Sequence, residues 1–123
     1  MANLFKPNVD TTVVDNLISG TLAQAKVLPV KVTGSGIVKR GTLLASTDGV
    51  EFSANATNIQ AILLLDVDTD DPDGDEGPAA FGGEFNQNKI EEVMGVTLTD
   101  VAIHQARGRQ IFIAPMNPAP EAF

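Results

Sequence analysis

The spacing between apolar residues changes several times along the chain, and in most segments it predicts a strand. Leu28, Val30 and Val32 alternate with Pro29 and Lys31, as on a half-buried strand. Because proline donates no backbone hydrogen bond, this strand is expected at a sheet edge or a bulge. After a turn at residues 34–36, residues 37–44 are expected to form two short strands divided at a glycine.

A hairpin and two further strands are predicted in the middle of the chain. Thr47-Asp48-Gly49 is a turn signal, and residues 50–54 form the returning strand. Residues 61–67 form a short, continuous apolar run, which indicates one buried central strand. Residues 79–85 are expected to form another strand, with a bulge at Gly82 and Gly83.

Helical periodicity is confined to the last third of the chain. Residues 86–94 form one helix candidate, with Asn88 and Glu91 at capping spacing and Gly95 as its end. A second helix is predicted from Thr97, with Asp100 as its capping partner, and it ends at residue 108. Residues 110–114 form a last strand. The expected class is therefore α+β and mainly β, a compact β region with two short C-terminal helices.

The two ends of the chain differ from the middle. Residues 1–12 show neither strand nor helix period, so they are expected to form an extended arm before a single domain at 13–114. Residues 115–123 form a proline-rich tail. The arm carries unusual apolar content, and it is either a frayed terminus or a segment that orders on a partner. The candidate contact residues are Leu4, Phe5, Pro7, Val9 and Thr11.

Charge is concentrated in one place. Seven of the sixteen acids lie within residues 66–76, and the remaining nine are nearly balanced by eight Lys and Arg. Hard cations bind clustered carboxylates, and Asp66, Asp68 and Asp70 have the spacing that begins an EF-hand loop. The sixth position is Asp71 rather than glycine, and the twelfth is Gly77 rather than glutamate. The run is therefore expected to be a solvated loop, with those three acids as a weak metal candidate.

Composition bears on several functional classes. The chain has no cysteine, and its one histidine, His104, has no nucleophile motif beside it, so no enzyme or cofactor is predicted. The basic residues are scattered, which argues against nucleic-acid binding. The longest apolar run has five residues, so no membrane span and no signal peptide are predicted. Arg107 and Arg109 are either ordinary helix-end charges or an intersubunit ion-pair site.

Four landmarks stand in order along residues 27–113, and their order and spacing resemble one known family. They are Val38-Lys-Arg-Gly-Thr-Leu-Leu44, Ala61-Ile-Leu-Leu-Leu-Asp-Val-Asp68, Gly83-Glu-Phe-Asn86 and Ala106-Arg-Gly-Arg-Gln-Ile-Phe-Ile113. The family is that of lambda-type phage head decoration proteins, which stabilise the capsid. The acidic insert is longer and richer in proline and glycine than the resemblance alone would suggest.

The resemblance implies a function based on binding. Three copies would assemble at local threefold positions on the outer surface of the expanded head, after synthesis in the host cytoplasm. The N-terminal arm would lie against the major capsid protein, and the trimers would brace the shell against the pressure of packaged DNA. An extended apolar arm suits binding in which it adds a strand to the edge of a sheet in that partner. The alternative is a calcium- or carbohydrate-binding β module that uses residues 66–76.

Overall fold

A computed structural model of the protein describes residues 16–20 and 26–115. The predicted arm at residues 1–12, with its five candidate contact residues, lies outside the described residues, as does the tail after Pro115.

The elements are β1 Val27–Val32, β2 Ile37–Val38, β3 Leu43–Ala45, β4 Glu51–Ala54, β5 Ala61–Leu63, β6 Val67–Asp68, β7 Glu76–Ala80, β8 Gly83–Asn86, α1 Gln87–Met94, α2 Asp100–Arg107 and β9 Ile111–Ala114. The α+β, mainly β class with two short helices is confirmed.

Five strands close into a barrel in the order β1-β4-β3-β5-β7. β1 and β4 run parallel, and the other neighbours in the barrel are antiparallel. Two small sheets adjoin it: β2 pairs with β6 antiparallel, and β8 pairs with β9 parallel. The chain between β8 and β9 contains both helices, because parallel strands need a long crossover connection. None of the described helices has the length and apolar character to cross a bilayer.

The short central strands are buried on both faces because they separate two cores. In β3, Leu43 faces one core and Leu44 the other. In β5, Ile62 lies in one core while Ala61 and Leu63 lie in the other. One core fills the barrel, and the second lies between the barrel, the helices and the β8–β9 sheet. Burial on both faces explains why these strands are continuous apolar runs rather than alternating ones.

The predicted break between two short strands at residues 37–44 is confirmed. Gly41 has φ of +101°, a conformation that favours glycine, and it lies between β2 and β3. A Cβ at this position would lie 3.3 Å from Cγ2 of Val93 in α1. The bend takes the chain from the β2–β6 ribbon into the barrel strand β3.

The predicted single strand at residues 61–67 is wrong. It divides into β5 in the barrel and β6 in the ribbon, with residues 64–66 outside both. Leu65, inside the apolar run, is 58% exposed. The guanidinium of Arg40 donates to the Leu64 carbonyl oxygen at 2.6 Å, so this backbone acceptor is satisfied outside the sheet.

The predicted single strand at residues 79–85 is also wrong. It divides into the end of β7 and the separate β8, and Gly83 has φ of +122°. β7 begins earlier than expected, at Glu76 inside the acidic run. Gly77 in β7 is buried, and a Cβ there would lie 2.5 Å from Cγ2 of Val67, so a glycine lets this strand lie close to β6.

Both helix starts differ from the predicted residues. The N-cap of α1 is Asn86, whose side chain accepts from the Asn88 N–H at 3.0 Å. The N-cap of α2 is Thr99 rather than Thr97, and its hydroxyl accepts from the Ala102 N–H at 3.1 Å. A buried residue precedes each cap and shares a core with the fourth helical residue, which describes a hydrophobic staple. These pairs are Phe85 with Ile90, and Leu98 with Ile103.

The predicted helix ends are correct. Gly95 follows α1 with φ of +69°, and its N–H donates to the Glu91 carbonyl oxygen. Gly108 follows α2, and its N–H donates to the carbonyl oxygens of Gln105 and Ala106. The apolar row predicted for the second helix is buried in the core between the helices and the barrel: Leu98, Ala102 and Ala106.

Pro29 lies where its missing N–H costs least. It faces Pro78 across the β1–β7 ladder, and neither residue can donate a ladder hydrogen bond. β4 pairs with β1 only at Lys31 and Val32. The first half of β1 therefore has a hydrogen-bonded neighbour on one side only, which agrees with an edge position.

Residues 16–20 lie against β8. Ile18 forms an isolated antiparallel bridge with Phe85. The Ser19 N–H donates to the Glu84 carbonyl oxygen at 3.0 Å, and the Asn86 N–H donates to the Leu17 carbonyl oxygen at 2.7 Å. Leu17 is fully buried in the core that the helices share with the barrel. Residues 16–20 are thus fixed by both hydrogen bonds and packing.

Candidate functional site

The middle of the acidic run folds as two consecutive aspartate turns. Oδ1 of Asp68 accepts from the Asp70 N–H, and Oδ1 of Asp71 accepts from the Asp73 N–H, each at 3.0 Å. Backbone hydrogen bonds from Asp71 to Asp68 and from Gly74 to Asp71 close the same turns. Aspartate carboxylates stabilise such turns by accepting from the backbone two residues on. Two of the clustered acids, Asp68 and Asp71, therefore stabilise the local backbone turns.

The two ends of the run are tied to the body. Oδ1 of Asp66 accepts from the backbone N–H of Arg40 at 2.8 Å. At the other end, Asp75 lies 3.6 Å from Nζ of Lys31 in a partly exposed ion pair. Thr69, within the run, donates from both its N–H and its hydroxyl to the Gly36 carbonyl oxygen. The run therefore contains β6, a loop at residues 69–75 that these contacts hold in place, and the first residue of β7.

The weak metal candidate gains no support from this arrangement. Asp66 contacts the Arg40 backbone, whereas Asp68 contacts the turn that follows it. In the described part of the chain, no group of three or more His, Cys, Asp or Glu side chains is placed to hold a metal ion. The spacing of Asp66, Asp68 and Asp70 thus does not bring their carboxylates together as ligands.

Arg107 and Arg109 have different surroundings. Arg107 is the exposed last residue of α2, where a positive charge interacts favourably with the helix dipole. Nη1 of Arg109 donates to the Ile59 carbonyl oxygen at 2.9 Å and so ties the chain before β9 to the β4–β5 connection. Asn58 and Gln105 lie beside Arg109 around a shallow depression. An intersubunit role for the two arginines stays a prediction.

A polar groove crosses the outer face of the barrel. It has a volume of about 240 Å³ and lies between the end of β1, the β3–β4 hairpin, the outer face of β4 and the turn at residues 55–58. Glu51 and Ser53 come from β4, and Thr33 comes from the chain after β1. Because side chains alternate across a strand, Glu51 and Ser53 face outward while Phe52 between them packs inside the barrel. We name this feature the β4 groove.

Local hydrogen bonds fix both walls of the β4 groove. Oδ1 of Asp48 accepts from the N–H groups of Val50 and Glu51 and from the Ser46 hydroxyl. These bonds lower the pKa of Asp48 below its ordinary value, and the bond from Val50 contributes most, followed by those from Glu51 and Ser46. The carboxyl is therefore ionised at neutral pH. On the opposite wall, Oδ1 of Asn55 accepts from the N–H groups of residues 57 and 58.

A side-chain amide connects the hairpin to β5. Oε1 of Gln60 accepts from the Ser46 N–H at 3.1 Å, and Nε2 of Gln60 donates to the Ser46 carbonyl oxygen at 3.2 Å. The Gln60 amide thus pairs with Ser46 as a neighbouring strand would. The groove lies beside this fixed hairpin.

The β4 groove was absent from the sequence predictions. The turn at 47–49 was predicted, and it marks one wall of the groove. No local signal places residues 33, 53 and 58 together, because the parallel β1–β4 pairing that does so is non-local. Comparisons with protein-family models, with curated proteins and with solved structures found no match for this chain.

Proposed function

We propose that this chain is a non-enzymatic capsid decoration protein. It binds the major capsid protein on the outer surface of an expanded phage head as homotrimers at local threefold positions, and it stabilises the shell against internal DNA pressure. The observation that carries the proposal is the spatial pairing of the four sequence landmarks that resemble the family. Segments that are far apart in sequence meet in pairs and form the framework of the fold.

The first two landmarks meet at the junction between the barrel and the β2–β6 ribbon. β3 pairs with β5, and β2 pairs with β6. The Arg40 N–H bonds to Asp66, and the Arg40 guanidinium bonds to the Leu64 carbonyl oxygen. The Lys-Arg-Gly-Thr segment and the apolar segment that runs into acids are therefore one structural unit.

The last two landmarks form the β8–β9 sheet. Phe85 lies opposite Ile113 in the parallel register, and both side chains are buried in the core beneath the helices. Asn86 ends the third landmark and caps α1, which begins the crossover to the fourth. This combination of a Gly-x-Phe-Asn strand end, a helical crossover and a closing Ile-Phe-Ile strand is the second half of the four-landmark order that resembles decoration proteins.

The anchoring of the chain after the arm also supports the proposal. A binding arm can transmit force to the body only if its base is held, and Leu17 is both buried and hydrogen-bonded to β8. Each arm would contribute a modest affinity. Linking three arms in one trimer raises the effective concentration of the second and third arms, so a weak contact becomes stable attachment.

Removal of residues 1–12 tests the proposal. The truncated protein keeps Leu17 and the whole described body, so it should remain folded by circular dichroism. It should no longer co-sediment with expanded capsids, because the strand-adding segment is gone. A matched pair of point variants refines the test: Phe5→Ala should weaken co-sedimentation, and Asn8→Ala should leave it unchanged. Undiminished binding of the folded truncation would overturn the role of the arm.

A further inference from the structure

The β4 groove carries polar groups that the fold itself does not use. The side chains of Thr47, Glu51, Ser53 and Asn58 make no hydrogen bond or ion pair within residues 16–20 and 26–115. The groups that hold the walls, Asp48 and Asn55, are by contrast engaged in turns. The groove thus combines a fixed frame with unengaged hydroxyl, amide and carboxylate groups.

The chemistry of the β4 groove selects for hydrogen-bond donors. Asp48 and Glu51 are acidic, and no lysine or arginine of the described chain lines the groove. Carboxylates only accept hydrogen bonds, whereas hydroxyl groups and amides can both donate and accept them. An anionic ligand would be repelled. A ligand with several hydroxyl groups, or with a protonated amine, would be matched by charge-assisted hydrogen bonds.

The size of the β4 groove limits the ligand to a single ring. Its volume of about 240 Å³ is below the roughly 300–1,000 Å³ of pockets that enclose drug-sized molecules. No aromatic residue lines it, so a ligand would gain little from stacking. Affinity should therefore be in the millimolar range for an isolated unit, and it would become useful through repetition on a multivalent surface.

We propose that the β4 groove binds one sugar or amino-sugar unit, with Glu51, Ser53 and Thr47 as the recognising side chains. The site is separate from the acidic run at residues 66–76, and it does not rest on the proposed capsid function.

Titrations followed by amide chemical shifts test the β4 groove directly. The probes are glucose, glucosamine and glucuronate, each raised to about 50 mM, a range that covers millimolar dissociation constants. Glucose and glucosamine share one ring and differ at one donor, and glucuronate adds a negative charge. We expect saturable shifts at residues 46–58 with glucosamine, either alone or together with glucose, and none with glucuronate. Saturation by glucosamine alone would identify the ammonium group as the recognised donor, and saturation by both would identify the hydroxyl groups.

Three variants separate a built site from general charge attraction. Ser53→Val should weaken every probe that binds, by about threefold or more, since one hydrogen bond is lost. Glu51→Gln should reduce any preference for glucosamine over glucose. Asp70→Asn in the acidic run removes the same charge elsewhere and should change nothing. The proposal is wrong if none of the probes saturates, if glucuronate saturates, or if the shifts spread to residues 66–76.

Discussion

The backbone N–H of Arg40 donates to Oδ1 of Asp66, 26 residues further along the chain, at 2.8 Å. This bond ties the bend between β2 and β3 to the break between β5 and β6. Asp66 is the first of the seven clustered acids, and it follows the exposed Leu65. The start of the acidic run is therefore part of the framework.

Asp66→Ala should destabilise the protein. It removes the Asp66 acceptor of the Arg40 N–H, and the expected loss is about 1.5–2 kcal/mol, the lower part of the range for a hydrogen bond to a charged group, because this contact is exposed. The matched control is Asp70→Ala, because the Asp70 carboxylate makes no hydrogen bond or ion pair within the described residues. Its effect should be within about 0.5 kcal/mol of zero. Urea denaturation of both variants measures the difference, and equal stabilities would remove the framework role of Asp66.

Replacing the buried residue next to the arm should cost more than replacing an exposed one of the same type. Leu17 is fully buried, and Leu17→Ala should lower the free energy of unfolding by about 2–5 kcal/mol. Leu65→Ala removes the same atoms from a side chain that is 58% exposed and should cost less than about 1 kcal/mol. Thermal and urea unfolding compare the two. Similar losses would mean that residues 16–20 do not pack as described.

The start of α2 can be tested with two threonines. Thr99→Ala removes the hydroxyl that accepts from the Ala102 N–H and should cost about 1 kcal/mol. Thr97→Ala, at the position that the sequence favoured, should have an effect near zero. Equal losses would contradict the observed cap, and a larger loss at residue 97 would restore the predicted one. The comparison needs only chemical denaturation of both variants at neutral pH.

Glu91 makes stability depend on pH. The Gln87 amide and then the Leu98 N–H donate to its carboxylate and lower the pKa of Glu91 from its ordinary 4.5. A lowered pKa in the folded state stabilises the protein above the unfolded pKa. That contribution is lost as the pH falls through the folded pKa.

The Glu91→Gln variant should therefore have a lower melting temperature than the unmodified protein at pH 7. The difference should narrow as the pH falls below 4.5, where the carboxylate of the unfolded chain becomes protonated, and it should vanish below the lower pKa of the folded state. Glu92→Gln, at an exposed neighbouring position on the same helix, serves as the control. Melting curves from pH 7 to about pH 3 test the prediction, and a constant difference at every pH would contradict it.

Calcium should leave the melting temperature unchanged, because the acids at 66, 68 and 70 do not converge on one point. The expected shift at about 1 mM calcium is within about 1 °C, since a ligand that does not bind the folded state cannot stabilise it. Asp68→Asn keeps the oxygen that closes the turn and removes only the charge. A rise of several degrees that this variant abolishes would revive the calcium-binding alternative.

Local sequence signals predicted the local features of the fold. Alternation predicted β1, Asp48-Gly49 predicted the β3–β4 hairpin, and Gly95 predicted the end of α1. Each of these depends on a few adjacent residues. The α+β class followed from the same signals.

The errors came from properties that adjacent residues do not encode. Leu65 is apolar yet exposed, so the apolar run hid the break between β5 and β6. Thr97 and Thr99 are both good caps, and the packing of Leu98 against the same core as Ile103 selects Thr99. The β4 groove depends on the parallel β1–β4 register, which places Lys31 opposite Glu51 on neighbouring strands. No short motif encodes this register.

Imaging of expanded phage heads incubated with the purified protein tests the central proposal most directly. Reconstructions should show trimeric protrusions at local threefold positions of the outer surface, with the first residues of each copy against the major capsid protein. Expanded heads without added protein give the reference map. Heads whose surface is unchanged at saturating protein, when the protein is folded and intact, would contradict the proposed function.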